Sequence, residues 1–188
     1  GPDCRESVSL QLAGEQHVSN ALAALTVAIE LGVTPCQAAA AVASVTPAAG
    51  RGALALRPGG GRVVDDSYNA NPAAVRAAID VLAREPGHRL MVLGPMMELG
   101  VDSADYHREI GAYAKSAGLD QLLTVGEEAA PSAEGYGSGA LHFSDQHALC
   151  AGFPALPAEH TIWVKGSRAA GLEATVAWLL ASEELPPC

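Results

Sequence analysis

Val63-Val64-Asp65-Asp66-Ser67-Tyr68-Asn69-Ala70-Asn71-Pro72 reads as an apolar strand that ends in two carboxylates, crosses a polar turn and enters a helix. Asn71 and Pro72 suit the N-cap and first-turn positions of that helix. Val75, Ile79 and Leu82 then supply its apolar stripe over 72–85. Outward from this stretch the same alternation recurs. Short apolar runs at 53–57, 62–66, 89–94, 121–126, 140–143 and 161–166 read as strands, with helical periodicity at 72–85, 103–117, 145–152 and 169–182. Strands alternating with helices over short connections imply βαβ units, hence an α/β fold whose mainly parallel sheet carries helices on both faces. Residues 127–139, rich in Glu, Pro, Gly and Ser, read as a loop or a frayed helix.

Residues before about 50 follow a different pattern. Val18, Leu22, Leu25 and Ile29 share one helical face, and Gly32 stands near the end of that helix. A second helix starts at Thr34-Pro35-Cys36-Gln37, where Thr34 and Gln37 have capping-box spacing, and runs to about Val45. Two helices joined by a tight turn cannot cover their own apolar stripes, so residues 1–48 are expected to pack on a neighbouring domain. Residues 49–188 form the α/β domain.

The chain has 188 residues, 49% of them apolar and only 4% aromatic, so its core must be aliphatic. Eleven Lys and Arg against 21 Asp and Glu give a net charge of −10, which argues against a nucleic-acid partner. Any anionic ligand requires the few cations to be concentrated at one place. Cysteines at 4, 36, 150 and 188 show no CxxC spacing and read as scattered thiols. No apolar run reaches the ~18 residues a membrane span needs.

In parallel sheets, ligands bind beyond the carboxyl ends of the strands, which singles out three turns. Asp65-Asp66 offers a carboxylate able to accept ribose hydroxyls; equally, the turn is a structural one in which Asn71 caps the helix. Lys165-Gly166-Ser167-Arg168 places two cations and backbone N–H groups at a strand-to-helix turn, fit for a carboxylate or phosphate, or is simply a solvated turn. Gly94-Pro95-Met96-Met97 forms a tight loop whose methionines read as packing residues. His107 reads as an ordinary exposed helical histidine, and no histidine spacing builds a zinc site. No G-x-x-x-x-G-K-[ST] phosphate loop occurs in the sequence.

Seven blocks, in order, resemble the Mur ligase family: GEQHVSNALAAL (14–25), Gly50-Arg51, VVDDSYNANP (63–72), VLGPMMELG (92–100), HREIGAYAKSAGLDQLLTVG (107–126), HFSDQ (142–146) and VKGSR (164–168). DDSYNANP with KGSR points to the branch that adds D-alanyl-D-alanine to a peptidoglycan precursor. The resemblance implies a cytoplasmic, three-domain bacterial enzyme with a UDP-sugar domain, a central ATP-binding domain and a Rossmann-like C-terminal domain. This chain then corresponds to the last helices of the central domain (1–48) and the whole C-terminal domain (49–188), inactive alone. With ATP and Mg2+, such an enzyme converts the terminal carboxylate of UDP-MurNAc-tripeptide into an acyl phosphate, which the amine of D-Ala-D-Ala attacks. The implied partners are these substrates, the N-terminal and central domains, and other enzymes of peptidoglycan synthesis.

By the same resemblance, Asn20 approaches the adenine, Arg51 the ATP phosphates and Asp66 the ribose, with Tyr68 and Asn69 beside the nucleoside. Lys165, Ser167 and Arg168 position the incoming dipeptide. No catalytic residue or metal ligand is expected in the chain. Three positions depart from the family pattern: Gln16-His17 in place of His-Asn, Gly94-Pro95-Met96 in place of Gly-Asp-Met, and Leu172 in place of Met. A non-catalytic scaffold module that kept this fold is the alternative from another functional class. A folate-polyglutamate-type ligase is a second, against which DDSYNANP and KGSR speak.

Overall fold

The computed structural model describes residues 5–11 and 15–181, with the side chains of Glu15 and Gln16 outside that set. Readings that fall on Cys4, Gly14, Gln16 and Cys188 therefore lie outside the described residues. The chain divides into two compact units, 1–48 and 49–188.

The first unit holds α1 (Glu15–Glu30) and α2 (Pro35–Ala43). Thr34 caps α2 as its spacing predicts. Its hydroxyl accepts from the Gln37 amide, while the Gln37 side chain accepts from the Thr34 amide. Two of the helix's four orphan donors are satisfied this way. Along α1, Val18, Leu22 and Ile29 remain exposed and Leu25 is half-buried, so most of the apolar stripe read from the sequence has no cover among the described residues.

The second unit is a six-stranded sheet of β1 (Ala53–Leu56), β2 (Arg62–Asp66), β3 (His88–Leu93), β4 (Gln121–Val125), β5 (Ala140–Phe143) and β6 (His160–Lys165). Its spatial order is β1-β2-β6-β3-β4-β5. Among the described residues only the β1–β2 hairpin is antiparallel, and every other pair is parallel. All six expected strands are present within a residue or two. The helices are α3 (Pro72–Leu82), α4 (Ser103–Ser116), α5 (Ala130–Tyr136), α6 (Gln146–Ala151) and α7 (Glu173–Ala181).

Both faces of the sheet are covered, because its central strands are apolar on both sides. Val64, Met91, Leu93 and Trp163 pack against α3, α4 and α5 through Val75, Ile79, Leu82, Ile110 and Tyr136. Leu90, Val92, Ile162 and Val164 pack against α6 and α7 through Leu149, Val176 and Leu179. The chain advances through β3, β4 and β5, then reverses to insert β6 between β2 and β3. That reversal places the switch point, where open α/β sheets bind their ligands, at the carboxyl ends of β2, β6 and β3.

Two expectations need correction. Residues 127–139 contain a 3-10 turn (Glu127–Ala129) and the whole of α5, and α5 is held by packing rather than propensity. It crosses α4 at paired glycines. A Cβ on Gly111 would lie 1.9 Å from the Ser132 carbonyl oxygen, and one on Gly135 would lie 2.1 Å from that of Arg108. The Tyr136 hydroxyl then donates to the Leu119 carbonyl at 2.6 Å. The thiol reading also fails in part: Cys36 is free and exposed, but Cys150 is disulfide-bonded.

The amino ends of the strands carry structural polar groups. Burial pushes the His160 imidazole below its ordinary value, partly opposed by its hydrogen bond with the Pro157 carbonyl. Arg57 lies 3.1 Å from the other ring nitrogen and donates to the Leu179 carbonyl near the end of α7, a cation at a helix C-terminus.

Gly111→Ala tests the α4–α5 crossing. Helix propensity alone favours Ala by roughly 1 kcal/mol. The backbone contact outweighs it, so the substitution is expected to cost a net ~2 kcal/mol and lower the denaturation midpoint. A raised midpoint would contradict the crossing.

Candidate functional site

The DD pair is divided by strand geometry. Adjacent residues of a strand point to opposite faces, so Asp65 and Asp66 act separately. Asp65 is structural: one oxygen accepts from the Ser67 hydroxyl at 2.6 Å and the Ser67 amide at 3.2 Å, and the other from the Gly50 amide at 3.1 Å. The Gly50 carbonyl in turn accepts from the Tyr68 amide. Gly50 has a φ of 73°, and a Cβ there would stand 3.0 Å from the Tyr68 backbone nitrogen. Glycine is required for this closure, and the closure fixes the start of Arg51.

Asp66 points to the α3 face. The parallel register sets it directly beside Lys165 on β6, and its Oδ2 accepts from Lys165 Nζ at 2.7 Å and from the Trp163 indole N–H at 3.2 Å. Lys165 also donates to the Asn69 carbonyl at 3.0 Å. The lysine side chain is 4% exposed and the aspartate side chain 20%. Asp66 Oδ1 has no protein partner among the described residues. The result is a carboxylate locked on one oxygen and open on the other.

Around it stand the exposed candidates. The Arg51 guanidinium lies 4.2 Å from the centroid of the exposed Tyr68 ring, and that of Arg168 lies 5.7 Å from the same centroid. Each such contact contributes about 0.5–1 kcal/mol at an exposed site. Arg168 also pairs loosely with Glu173 at 3.6 Å. Asn69 uses its side-chain oxygen on the next amide, that of Ala70. Asn71 caps α3 by accepting from Ala74 at 2.8 Å, the structural role read for it. Ser167 is buried, and its hydroxyl has no hydrogen-bond partner among the described residues. Arg51, Asp66, Tyr68, Asn69, Lys165, Ser167 and Arg168 thus gather at one sheet edge, while Asn20 lies exposed on α1 of the other unit.

The loop after β3 is tied to this edge from three directions. Gly94 donates to the Lys165 carbonyl and Ser167 donates to the Pro95 carbonyl. The Met96 amide donates to His107 Nε2 at 3.0 Å. Gly94 and Gly166 approach closely, and a Cβ on Gly166 would lie 3.2 Å from the Gly94 Cα and 2.7 Å from Leu172 Cδ1. Leu172 is fully buried over the two glycines.

His107 is therefore not the exposed residue expected. It is fully buried, and its Nδ1 lies 2.8 Å from the Ser103 carbonyl. With Nε2 accepting from an amide, Nδ1 must carry the proton. The signal was present in the sequence, since His107, Ile110, Gly111 and Ala114 follow the spacing of one helical face. Met96 is buried as expected, whereas Met97 is exposed. Glu98 adopts a positive φ of 64° as the loop turns away. Among the described residues no group of three or more His, Cys, Asp or Glu could hold a metal ion, so no step is assigned to Mg2+ on this chain.

Residues 50–168 match the family model for the Mur ligase, glutamate ligase domain. The chain belongs to the Mur ligase family. Among its relatives, the UDP-N-acetylmuramoyl-tripeptide--D-alanyl-D-alanine ligase of Escherichia coli (strain K12) is 40% identical over 174 residues, covering 90% of this chain and 38% of that protein. MurF from Acinetobacter baumannii superposes with a TM-score of 0.85 at 30% identity, over 95% of this chain and 41% of that one. MurF ligase from Thermotoga maritima, solved in complex with ADP, gives 0.76 at 27% identity, over 88% and 38%. This Mur ligase chain thus spans about two fifths of the length of the relatives it matches. No helix among its described residues is long and apolar enough to cross a membrane.

Replacing His107 with Phe leaves the Met96 amide buried without an acceptor. The expected cost is about 1–3 kcal/mol of stability, with rapid hydrogen exchange at Met96 where the parent exchanges slowly. Slow exchange in the variant would mean that His107 does not hold this loop.

Proposed function

We propose that this chain is the nucleotide-facing C-terminal part of an ATP-dependent ligase that joins D-alanyl-D-alanine to UDP-N-acetylmuramoyl-tripeptide. In that enzyme, residues 1–48 complete the central ATP-binding domain and residues 49–188 form the domain that closes over the nucleotide. The terminal carboxylate of the tripeptide attacks the γ-phosphorus of ATP, releasing ADP and leaving an acyl phosphate. The amine of the dipeptide then attacks the acyl carbon, forming the amide and releasing phosphate. The chain alone would not catalyse this, since its sequence carries no phosphate loop.

The observation that carries the reading is the oriented carboxylate of Asp66 at the sheet's switch point. Its open Oδ1 has two lone pairs for ribose hydroxyls, and its position agrees with the ligand crevice of open α/β sheets. Tyr68 and Asn69 extend from the same turn toward the nucleoside, and Asn20 is proposed to reach the adenine from the central domain. Arg51 and Arg168 concentrate positive charge in a chain of net charge −10, as polyphosphate and carboxylate ligands require. We assign Arg51 to the phosphates, and the Ser167–Arg168 turn to the dipeptide. The name of the Escherichia coli relative favours these substrates over a scaffold role. Magnesium and further partners would engage residues outside those described.

In the full-length ligase, Asp66→Ala is expected to raise the KM for ATP about tenfold or more, the worth of a hydrogen bond to a charged group, and to leave the KM for D-Ala-D-Ala within about twofold. Unchanged ATP kinetics would remove the ribose assignment.

A further inference from the structure

Lys165 belongs to the KGSR turn, which by resemblance meets the dipeptide, and a lysine at that point suggests a cation for its terminal carboxylate. The geometry points elsewhere. The side chain is 4% exposed, and its ammonium is engaged by Asp66 Oδ2 at 2.7 Å and the Asn69 carbonyl at 3.0 Å. Both acceptors belong to the DDSYNANP turn. An ammonium withdrawn from water this far is held by the partners it already has, because releasing it would strand a charged carboxylate and a charged lysine together.

We propose that Lys165 is a positioning residue for the nucleotide and not a ligand of the dipeptide. This rests on the reading of Asp66 as the ribose acceptor. Lys165 and the Trp163 indole immobilise Oδ2 and so aim Oδ1 outward. By holding the Asn69 carbonyl as well, Lys165 fixes the turn that presents Tyr68, and with it the ring on which Arg51 and Arg168 rest. Within KGSR the labour then divides at Gly166. The residue before it, the last of β6, serves the nucleotide turn. The residues after it, Ser167 with its unpaired buried hydroxyl and the exposed Arg168, remain for the second substrate.

The test compares ATP with 2′-deoxy-ATP in the full-length ligase, using the ratio of their kcat/KM values as a measure of ribose recognition. The parent is expected to favour ATP, and Asp66→Ala to abolish the preference. Lys165→Met should lower kcat/KM for ATP about tenfold and reduce the preference toward one, with the KM for D-Ala-D-Ala within about twofold. Lys165→Gln keeps one donor toward Asp66. It should retain part of the preference, and it decides the matter if the methionine variant does not fold. If Asp66→Ala abolishes the preference but the Lys165 variants keep it and raise the dipeptide KM, the positioning role is overturned and the ribose reading stands. Equal rises in both KM values overturn it too, assigning Lys165 to general closure. A preference that survives Asp66→Ala removes the ribose reading, and this inference with it.

Discussion

A lysine ammonium and an aspartate carboxylate, 99 residues apart, meet where β2 and β6 run side by side. Neither charge is tolerable at that depth alone, since removing one partner of such a pair typically costs about 3–5 kcal/mol. The pair therefore requires the strand register, and the register brings the rest of the site with it. Asp66 and Lys165 can be neighbours only if β6 lies against β2 with Asp66 opposite Lys165. The same insertion places Lys165 opposite Leu93 of β3 and brings the Gly94 loop against the Gly166 turn. The candidate site sits at the point where the chain reverses its direction of travel through the sheet.

The surroundings show how the site is kept rigid. Glycines stand where backbones must touch, at Gly94 and Gly166 beneath Leu172 and at Gly50 against Tyr68. Buried polar groups are then spent on orientation. Asp65 closes the Gly50 turn, His107 anchors the Met96 amide, and Trp163 and Lys165 hold one oxygen of Asp66. Among the described residues of the site, Asp66 Oδ1 is left without a protein partner, and Arg51, Tyr68, Asn69 and Arg168 are exposed. In a chain with an excess of ten negative charges, these two cations at one edge are what an anionic ligand would find.

Much of this was legible in the sequence. Apolar runs of strand length set all six strands, and Asn71-Pro72 and Thr34-Pro35 marked two helix starts through side-chain caps that the structure contains. The turns of the candidate site were singled out because strand ends are where ligands bind in such sheets. Other features were not legible, for physical reasons. Helix α5 has a Pro/Gly/Ser-rich sequence and exists because Gly111 and Gly135 let two backbones approach, a tertiary effect that local propensity does not encode. The pairing of Lys165 with Asp66 depends on strand order, which the hydrophobic pattern leaves open. His107 was misread although its helical spacing with Ile110 and Ala114 marked it as buried.

The geometry of the site depends on Lys165 being held by Asp66 and shielded from water. The chain has two lysines, Lys115 and Lys165, and Lys115 is exposed, so one serves as the internal reference for the other. The direct measurement is the side-chain ammonium 1H–15N spectrum near neutral pH. A slowly exchanging Lys165 resonance is expected, coupled across the hydrogen bond to the Asp66 carboxylate and lost in Asp66→Ala. A Lys165 ammonium that exchanges with water as fast as that of Lys115 would contradict it.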